Sequence, residues 1–208
     1  MPGTDMIETA HIKFARSGLD VKIWPLAKIV SPEVISIGNS VIIDDFVFLM
    51  GGERTIIGSF VHIASFTSIT GGGELIIDDY SGLSSGVRVF TGNDDYSGQW
   101  MAHPTIPGTY RKPLRSYVHI EKHVIIGANT VILPGVTIGE GVAVGANSLI
   151  KKDCEPWTVY FGTPARPVKV RPREKILELE SKLRAEHYDG KGNYISKTKL
   201  AAMKERKR

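Results

Sequence analysis

Proton transfer at an acceptor group needs an imidazole or a carboxylate of suitable basicity, and three places in this sequence offer one. His123 stands in IEKHVI, His103 in MAHPTIPGTY, and Asn93, Asp94 and Asp95 stand together in VFTGNDD. His123 reads as an outward turn residue that could face a loop of a neighbouring chain. Asp94 or Asp95 would serve if partial desolvation raised its pKa. Two nucleophile-like groups are set aside. Gly82-Leu83-Ser84-Ser85-Gly86 satisfies Gly-x-Ser-x-Gly, but that pattern needs a strand-to-helix elbow that the surrounding residues do not provide. Cys154 is the lone cysteine, and it falls at an inward position from which a thiol cannot reach substrate.

What must position these groups is a repeat of six. Residues 114–155 divide as LRSYVH, IEKHVI, IGANTV, ILPGVT, IGEGVA, VGANSL and IKKDCE, and three further blocks start at 37, 57 and 77 in the same register. Each of the sixteen hexads opens with Ile, Leu or Val, and the fifth residue is mostly small or β-branched. Six matches neither the helical period nor strand alternation. Three sixes make one triangular coil of short strands, whose first and fifth residues stack inward on the coils above and below. Gly51-Gly52 and Gly71-Gly72-Gly73, twenty apart, are expected to supply positive φ at a corner. The register stops after Asp94 and resumes at Leu114. The intervening 95–113, with Tyr96, Trp100, His103, Tyr110 and Arg111, is a loop leaving the scaffold, where function concentrates.

Aliphatic-Gly-x-x-small hexads, the run ILPGVTIGEG and the later FGTPARPV together resemble the hexapeptide-repeat acyltransferases. The galactoside, maltose and xenobiotic acetyltransferase branch is the most similar, and within it the acetyltransferases of surface-polysaccharide biosynthesis. The resemblance covers roughly 37–170. It implies an all-β, left-handed parallel β-helix with an inserted loop and a C-terminal α-helix, assembled as a homotrimer with sites between subunits. It also implies transfer of acetyl from acetyl-CoA to a hydroxyl or amine of a small-molecule or glycan sugar, by direct attack on the thioester. An antibiotic acetyltransferase and a non-catalytic or metal-binding solenoid are the alternatives.

Site residues follow from placing the resemblance on the coil. Hexads 126–131 and 144–149 lie one coil apart in one column, so Gly127-Ala128 should stack on Gly145-Ala146 and admit a thin extended ligand. By the resemblance that ligand is the pantetheine arm, with Lys151, Lys152 and Gly162, Pro164, Ala165 and Arg166 near the nucleotide phosphates. Followed across the loop, the column is expected to reach 89–94, so that the acetyl group points at Asn93 and Asp94. The family carries a histidine base at about this place; here Asn93-Asp94-Asp95 stands instead. His123 is favoured as the replacement base, with Asp94 orienting it or the sugar; His103, Asp94 and Asp95 are the other candidates. Backbone amides or Asn93 would stabilise the oxyanion. His62, His119 and His123 invite a zinc reading, since the γ-type carbonic anhydrases share this fold, but no metal site is expected: His119 and His123 are four apart, not five as in that family.

The 208 residues suit one domain, with a cap over 1–22, the β-helix over 23–170 and a tail over 171–208. A short helix is expected from about 172 to 187, with Ile176, Leu179 and Leu183 as its apolar stripe. The formal charge is +4, but Arg166–Arg208 carries 14 basic against 6 acidic residues. The last twenty residues are expected to be partly mobile, and weak membrane-surface contact is one role for the basic tail. The N-terminus lacks the regions of a signal peptide, so a cytoplasmic location is expected, with no nucleic-acid partner.

Overall fold

The computed structural model describes residues 12–205, which wind into a parallel β-helix of three faces. The first face stacks Arg16–Ser17, Ile35–Ile37, Arg54–Ile57, Glu74–Ile77, Tyr117–Ile120 and Val136–Ile138. The second stacks Lys22–Ile23, Ile42–Ile43, His62–Ile63, Gly82–Leu83, Ile125–Ile126, Ala143–Val144 and Thr158–Gly162, and ends on the antiparallel Ala165–Val170. The third stacks Lys28–Val30, Phe48–Met50, Ser68–Thr70, Arg88–Phe90, Val131–Ile132 and Leu149–Ile150. Equivalent residues pair in register, as Leu75 does with Thr55 below and Val118 above.

Hydrophobic stacking explains the period. Fifteen of the sixteen hexad-opening residues are buried, among them Ile57, Ile77, Ile120 and Ile138 in one ladder. Each such side chain contributes roughly 1.5–3 kcal/mol of burial. The exception is Leu114, 56% exposed, which pairs antiparallel with Asn93 at the base of the loop. The strand of the resumed coil is therefore Tyr117–Ile120, and the coil count restarts at Ile120.

Corners are made by a residue in the left-handed region at the third turn position. Between the first and second faces these are Asp20, Ser40, Phe60, Tyr80, His123, Gly141 and Trp157, with φ of 58°, 55°, 58°, 63°, 59°, 69° and 53°. From Phe60 onward the ring-bearing residues are supported in this conformation by stacking from coil to coil: Phe60 on Tyr80 at 5.3 Å, Tyr80 on His123 at 5.1 Å, His123 near Trp157 at 6.1 Å. Gly141 has to be glycine, since a Cβ there would lie 2.4 Å from the Trp157 ring. Gly71 and Gly72 have positive φ as expected, but Gly51, Gly52 and Gly73 do not; a Cβ at Gly52 would instead meet the Gly73 carbonyl at 2.0 Å.

The ends depart from expectation. The solenoid begins with Arg16–Ser17, before the expected boundary at 23, and residues 1–11 of the expected cap lie outside the described residues. Helix α1 (Glu174–His187) forms, but its partly buried face is Ile176, Glu180, Leu183 and His187, whereas Leu179 is 52% exposed. It lies against the aromatic corner: Glu180 bonds His123 and the His187 ring meets Phe60 edge-on. The tail then adds α2 (Lys197–Glu205), anchored where the Tyr194 hydroxyl and the Lys197 amide both donate to Asp20 at 2.8 Å. No described helix is long and apolar enough to cross a membrane.

Two measurements check this packing. Ile126→Ala should cost about 2–5 kcal/mol in urea unfolding, while Leu114→Ala, at an equivalent hexad position, should cost under about 1 kcal/mol. Cys154 is 4% exposed, and burial pushes its thiol up to about 12. The raised value favours the neutral thiol in the fold, so that contribution is intact below the ordinary thiol range and declines as pH rises through it. A thiol reagent at mildly alkaline pH should therefore leave native protein unmodified and label one thiol per chain in strong denaturant.

Candidate active site

The expected small-residue column exists. Gly127 lies on Gly145 with its amide donating to the Val144 carbonyl at 2.8 Å, and Phe161–Thr163 lies above. The Gly162 amide donates to Ser148 Oγ at 3.1 Å and the Thr163 hydroxyl to the Asn147 carbonyl at 2.9 Å. The glycines serve the stack itself: a Cβ on Gly127 would lie 2.5 Å from the Ala146 nitrogen, and one on Gly145 2.2 Å from the Phe161 ring. Ala146 is exposed and Ala128 half-buried, so the alanines present the thin outer edge that a pantetheine arm would follow. At the upper end Lys151, Lys152, Pro164, Ala165 and Arg166 converge on a hollow of about 320 Å³.

Downward the column takes a different course from the one expected. Ile126 pairs with Leu83, and the Asn129 amide donates to the Ser85 carbonyl, so Gly127-Ala128 stands on Ser84-Ser85. Val89 pairs with Ile132 on the third face, and Asn93-Asp94 belongs to the next corner. Counting Leu114 as the first residue of a coil shifts every later hexad by one face. The lower end of the ridge is Ser84, beside a hollow of about 300 Å³ that it shares with His62, Gly82 and Ile125.

Asp94 stands at the base of the loop. Asn93 pairs with Leu114 and Gly92 with Arg115, an antiparallel clasp that brings the chain back. Asp94 Oδ2 accepts the His103 amide at 3.0 Å, and Asp94 Oδ1 lies 3.9 Å from Arg111 Nη2. Asn93, Asp94, Arg111 and Arg115 line a hollow of about 420 Å³ with Met50, Thr70 and Pro104. Asp95 is otherwise engaged. Its carboxylate accepts from the Ser97 hydroxyl and the Gly98, Gln99 and Trp100 amides, bonds that hold it below the ordinary carboxylate range.

The favoured histidine does not fit the role expected of it. The His123 side chain is 7% exposed, stacked on Tyr80, and bonded through Nε2 to Glu180 at 2.8 Å beneath α1. Its carbonyl and that of Gly141 accept from Arg171 Nη1, each at 2.8 Å, which fixes the segment leading into the helix. The His123 imidazole is thus engaged within its own chain, between the Tyr80 ring and the Glu180 carboxylate. His103 is exposed in the loop with φ 77°, and its backbone braces Asp94 and Arg111. His62 and His119 each bond their own carboxylate at 2.9 Å, Asp44 and Asp78 respectively, on different faces. Ser84, set aside above as a hydrolase nucleophile, and His62 come together at this hollow. The signal is the twenty-residue coil spacing, which pairs His62 with Gly82, two residues before Ser84.

Comparisons with known proteins agree with this scaffold. The family model described as bacterial transferase hexapeptide (six repeats) matches residues 117–152. The chain is 43% identical over 178 residues to the dTDP-4-amino-4,6-dideoxy-D-glucose acyltransferase of Escherichia coli, covering 85% of this chain and 92% of that protein. The crystal structure of AntD, an N-acyltransferase from Bacillus cereus in complex with dTDP and 3-hydroxybutyryl-CoA, superposes with a TM-score of 0.80 at 40% identity, covering 87% of this chain and 97% of that one. A maltose O-acetyltransferase from Clostridium difficile 630, at 23% identity and a TM-score of 0.55 over 76% of this chain and 71% of its own, shares the fold. A repeat that runs through nearly every coil, and a relative matched almost end to end, place this chain among the hexapeptide-repeat acyltransferases, enzymes built on a left-handed parallel β-helix.

Proposed function

We propose that the protein is an acyl-CoA-dependent N-acyltransferase whose acceptor is the amine of a nucleotide-linked amino-deoxysugar. The observation that carries this reading is the continuous small-residue ridge, from Gly162-Thr163 through Ala146 and Ala128 to Ser84. It offers an extended acyl-CoA arm a track with basic residues at one end and a hydroxyl at the other. The likeness to an acyltransferase of dTDP-4-amino-4,6-dideoxy-D-glucose supports the acceptor class. Acetyl is the simplest acyl group that such a ridge would present. Nucleotide-linked sugars are donors for glycosyl transfer, which supports a place in surface-glycan assembly.

An amine acceptor is largely protonated near neutral pH and must lose a proton before it attacks the thioester. Asp94 is the base in this reading, its carboxylate already directed by the His103 amide and facing the loop hollow. The hydroxyl of Ser84 would donate to the thioester oxygen as it becomes an oxyanion, where a single aimed donor is worth on the order of 10²–10³ in rate. Ser84 and Asp94 lie at different corners, with the strand Arg88–Phe90 between them. One site with both needs Ser84 of one chain and Asp94 of a neighbour, the arrangement of a homotrimer with sites at its subunit boundaries.

CoA release should therefore occur with acetyl-CoA and dTDP-4-amino-4,6-dideoxyglucose. Asp94→Asn should lower kcat on the order of 10²–10⁴-fold. His123→Ala should lower stability by about 1–3 kcal/mol, through loss of a buried charge-assisted hydrogen bond, and leave turnover per folded chain close to wild type. Co-assembling Asp94→Asn with Ser84→Ala subunits should recover part of the activity that each homo-oligomer lacks. Full turnover in Asp94→Asn with loss in His62→Ala would transfer the base to His62 and Asp44.

A further inference from the structure

The hollow under the loop contains more than a base. Besides Asp94 it presents two guanidinium groups, Arg111 and Arg115, over a floor of Gly71, Gly72 and Gly92 and against Pro104 and Pro113. Both arginines are anchored rather than free to wander. Arg115 Nη1 donates to the Gly72 carbonyl at 2.8 Å, and Arg111 Nη1 donates to the His103 carbonyl at 2.8 Å. Each keeps the rest of its fork for another partner. Arg111 has Asp94 only at 3.9 Å, and Arg115 has no carboxylate partner among the described residues. Local structure enforces the arrangement. A Cβ on Gly72 would lie 1.9 Å from Arg115 Nη1, so the glycine leaves the space that this guanidinium occupies. Arg115 itself belongs to the antiparallel clasp, paired with Gly92, which fixes where its side chain starts.

Two tethered forks with unused donors, beside a carboxylate base, match an anion carrying several oxygens attached to the group that reacts. We infer that Arg111 and Arg115 form the subsite for the diphosphate of the acceptor, so that the sugar joined to its β-phosphate is delivered to Asp94. The inference rests on the nucleotide-linked acceptor proposed above and assigns residues that reading leaves open. It separates the two diphosphates of the reaction: that of CoA goes to the ridge end near Lys151, Lys152 and Arg166, and that of the acceptor to the loop hollow. The same geometry gives Arg111 a second part. As it turns from Asp94 to the diphosphate, the carboxylate is left to accept the proton of the amine.

Equilibrium binding of dTDP, measured calorimetrically without donor or turnover, tests this. Arg115→Gln should weaken dTDP at least about tenfold, the loss expected when a charge-assisted hydrogen bond to phosphate is removed. Arg115→Lys should recover part of that loss, and CoA affinity should match wild type in both. In turnover, Arg115→Gln should raise KM for the nucleotide-linked sugar far more than it lowers kcat, and should leave the methyl glycoside of the same amino sugar unaffected. Unchanged dTDP affinity in both Arg115→Gln and Arg111→Gln would overturn the assignment, as would equal weakening of dTDP and CoA. Should wild-type protein fail to bind dTDP, the acceptor reading fails by itself. Inorganic pyrophosphate then decides the subsite: binding that Arg115→Gln abolishes sustains it, and no binding removes it.

Discussion

The aliphatic side chains of each coil point into an interior shared by the three faces, which is closed along the axis only by the coils above and below. That single constraint sets the spacing of Ile, Leu and Val, the parallel register and the need for tight corners. The corners in turn require left-handed backbone, which non-glycine residues adopt at some cost. On one edge the cost is offset by rings stacked from Phe60 to Trp157; on another, Asn129 and Asn147 accept the conformation with short polar side chains. The chemistry is laid over the same geometry. Residues one coil apart form straight tracks, and a track of small residues is what an extended ligand follows.

Two regions do not come from the repeat. The loop of 95–113 leaves between two strands of adjacent coils, closed at its neck by the pairing of Gly92-Asn93 with Leu114-Arg115. The C-terminal segment turns back across the aromatic edge, where Arg171, Glu180, Arg184 and His187 meet carbonyls and rings of several coils. Both use polar contacts where the solenoid uses apolar ones. His123 belongs to the second region: its imidazole is the meeting point of a ring stack and a carboxylate from α1, which is a structural duty.

Much of this was legible in the residues. The hexads disclosed the solenoid, the stacking of Gly127-Ala128 under Gly145-Ala146, and the neighbourhood of Lys151, Lys152 and Arg166 with Pro164 and Ala165. The errors have physical origins. Leu114 satisfies the pattern by residue type but sits in an antiparallel pair, and taking it as a coil residue moved the end of the ridge from Ser84 to Asn93-Asp94. A period can be followed only while the chain keeps its phase, and the loop resets it. On α1 an apolar stripe through Leu179 was the reasonable expectation; Glu180 turns inward because a buried imidazole needs a partner, a tertiary demand with no local signature. Asn93 and Asp94 entered by their types and remain at the loop hollow, though for a different reason than the column suggested.

The clasp at the neck of the loop has an evolutionary consequence. Because the excursion departs and returns through one short antiparallel pair, its length and composition are mechanically insulated from the rungs on either side. Change within 95–113 can therefore remodel the loop hollow while the stack of Gly127-Ala128 under Gly145-Ala146 stays intact. A scaffold of this kind can diversify by exchanging a single appendage.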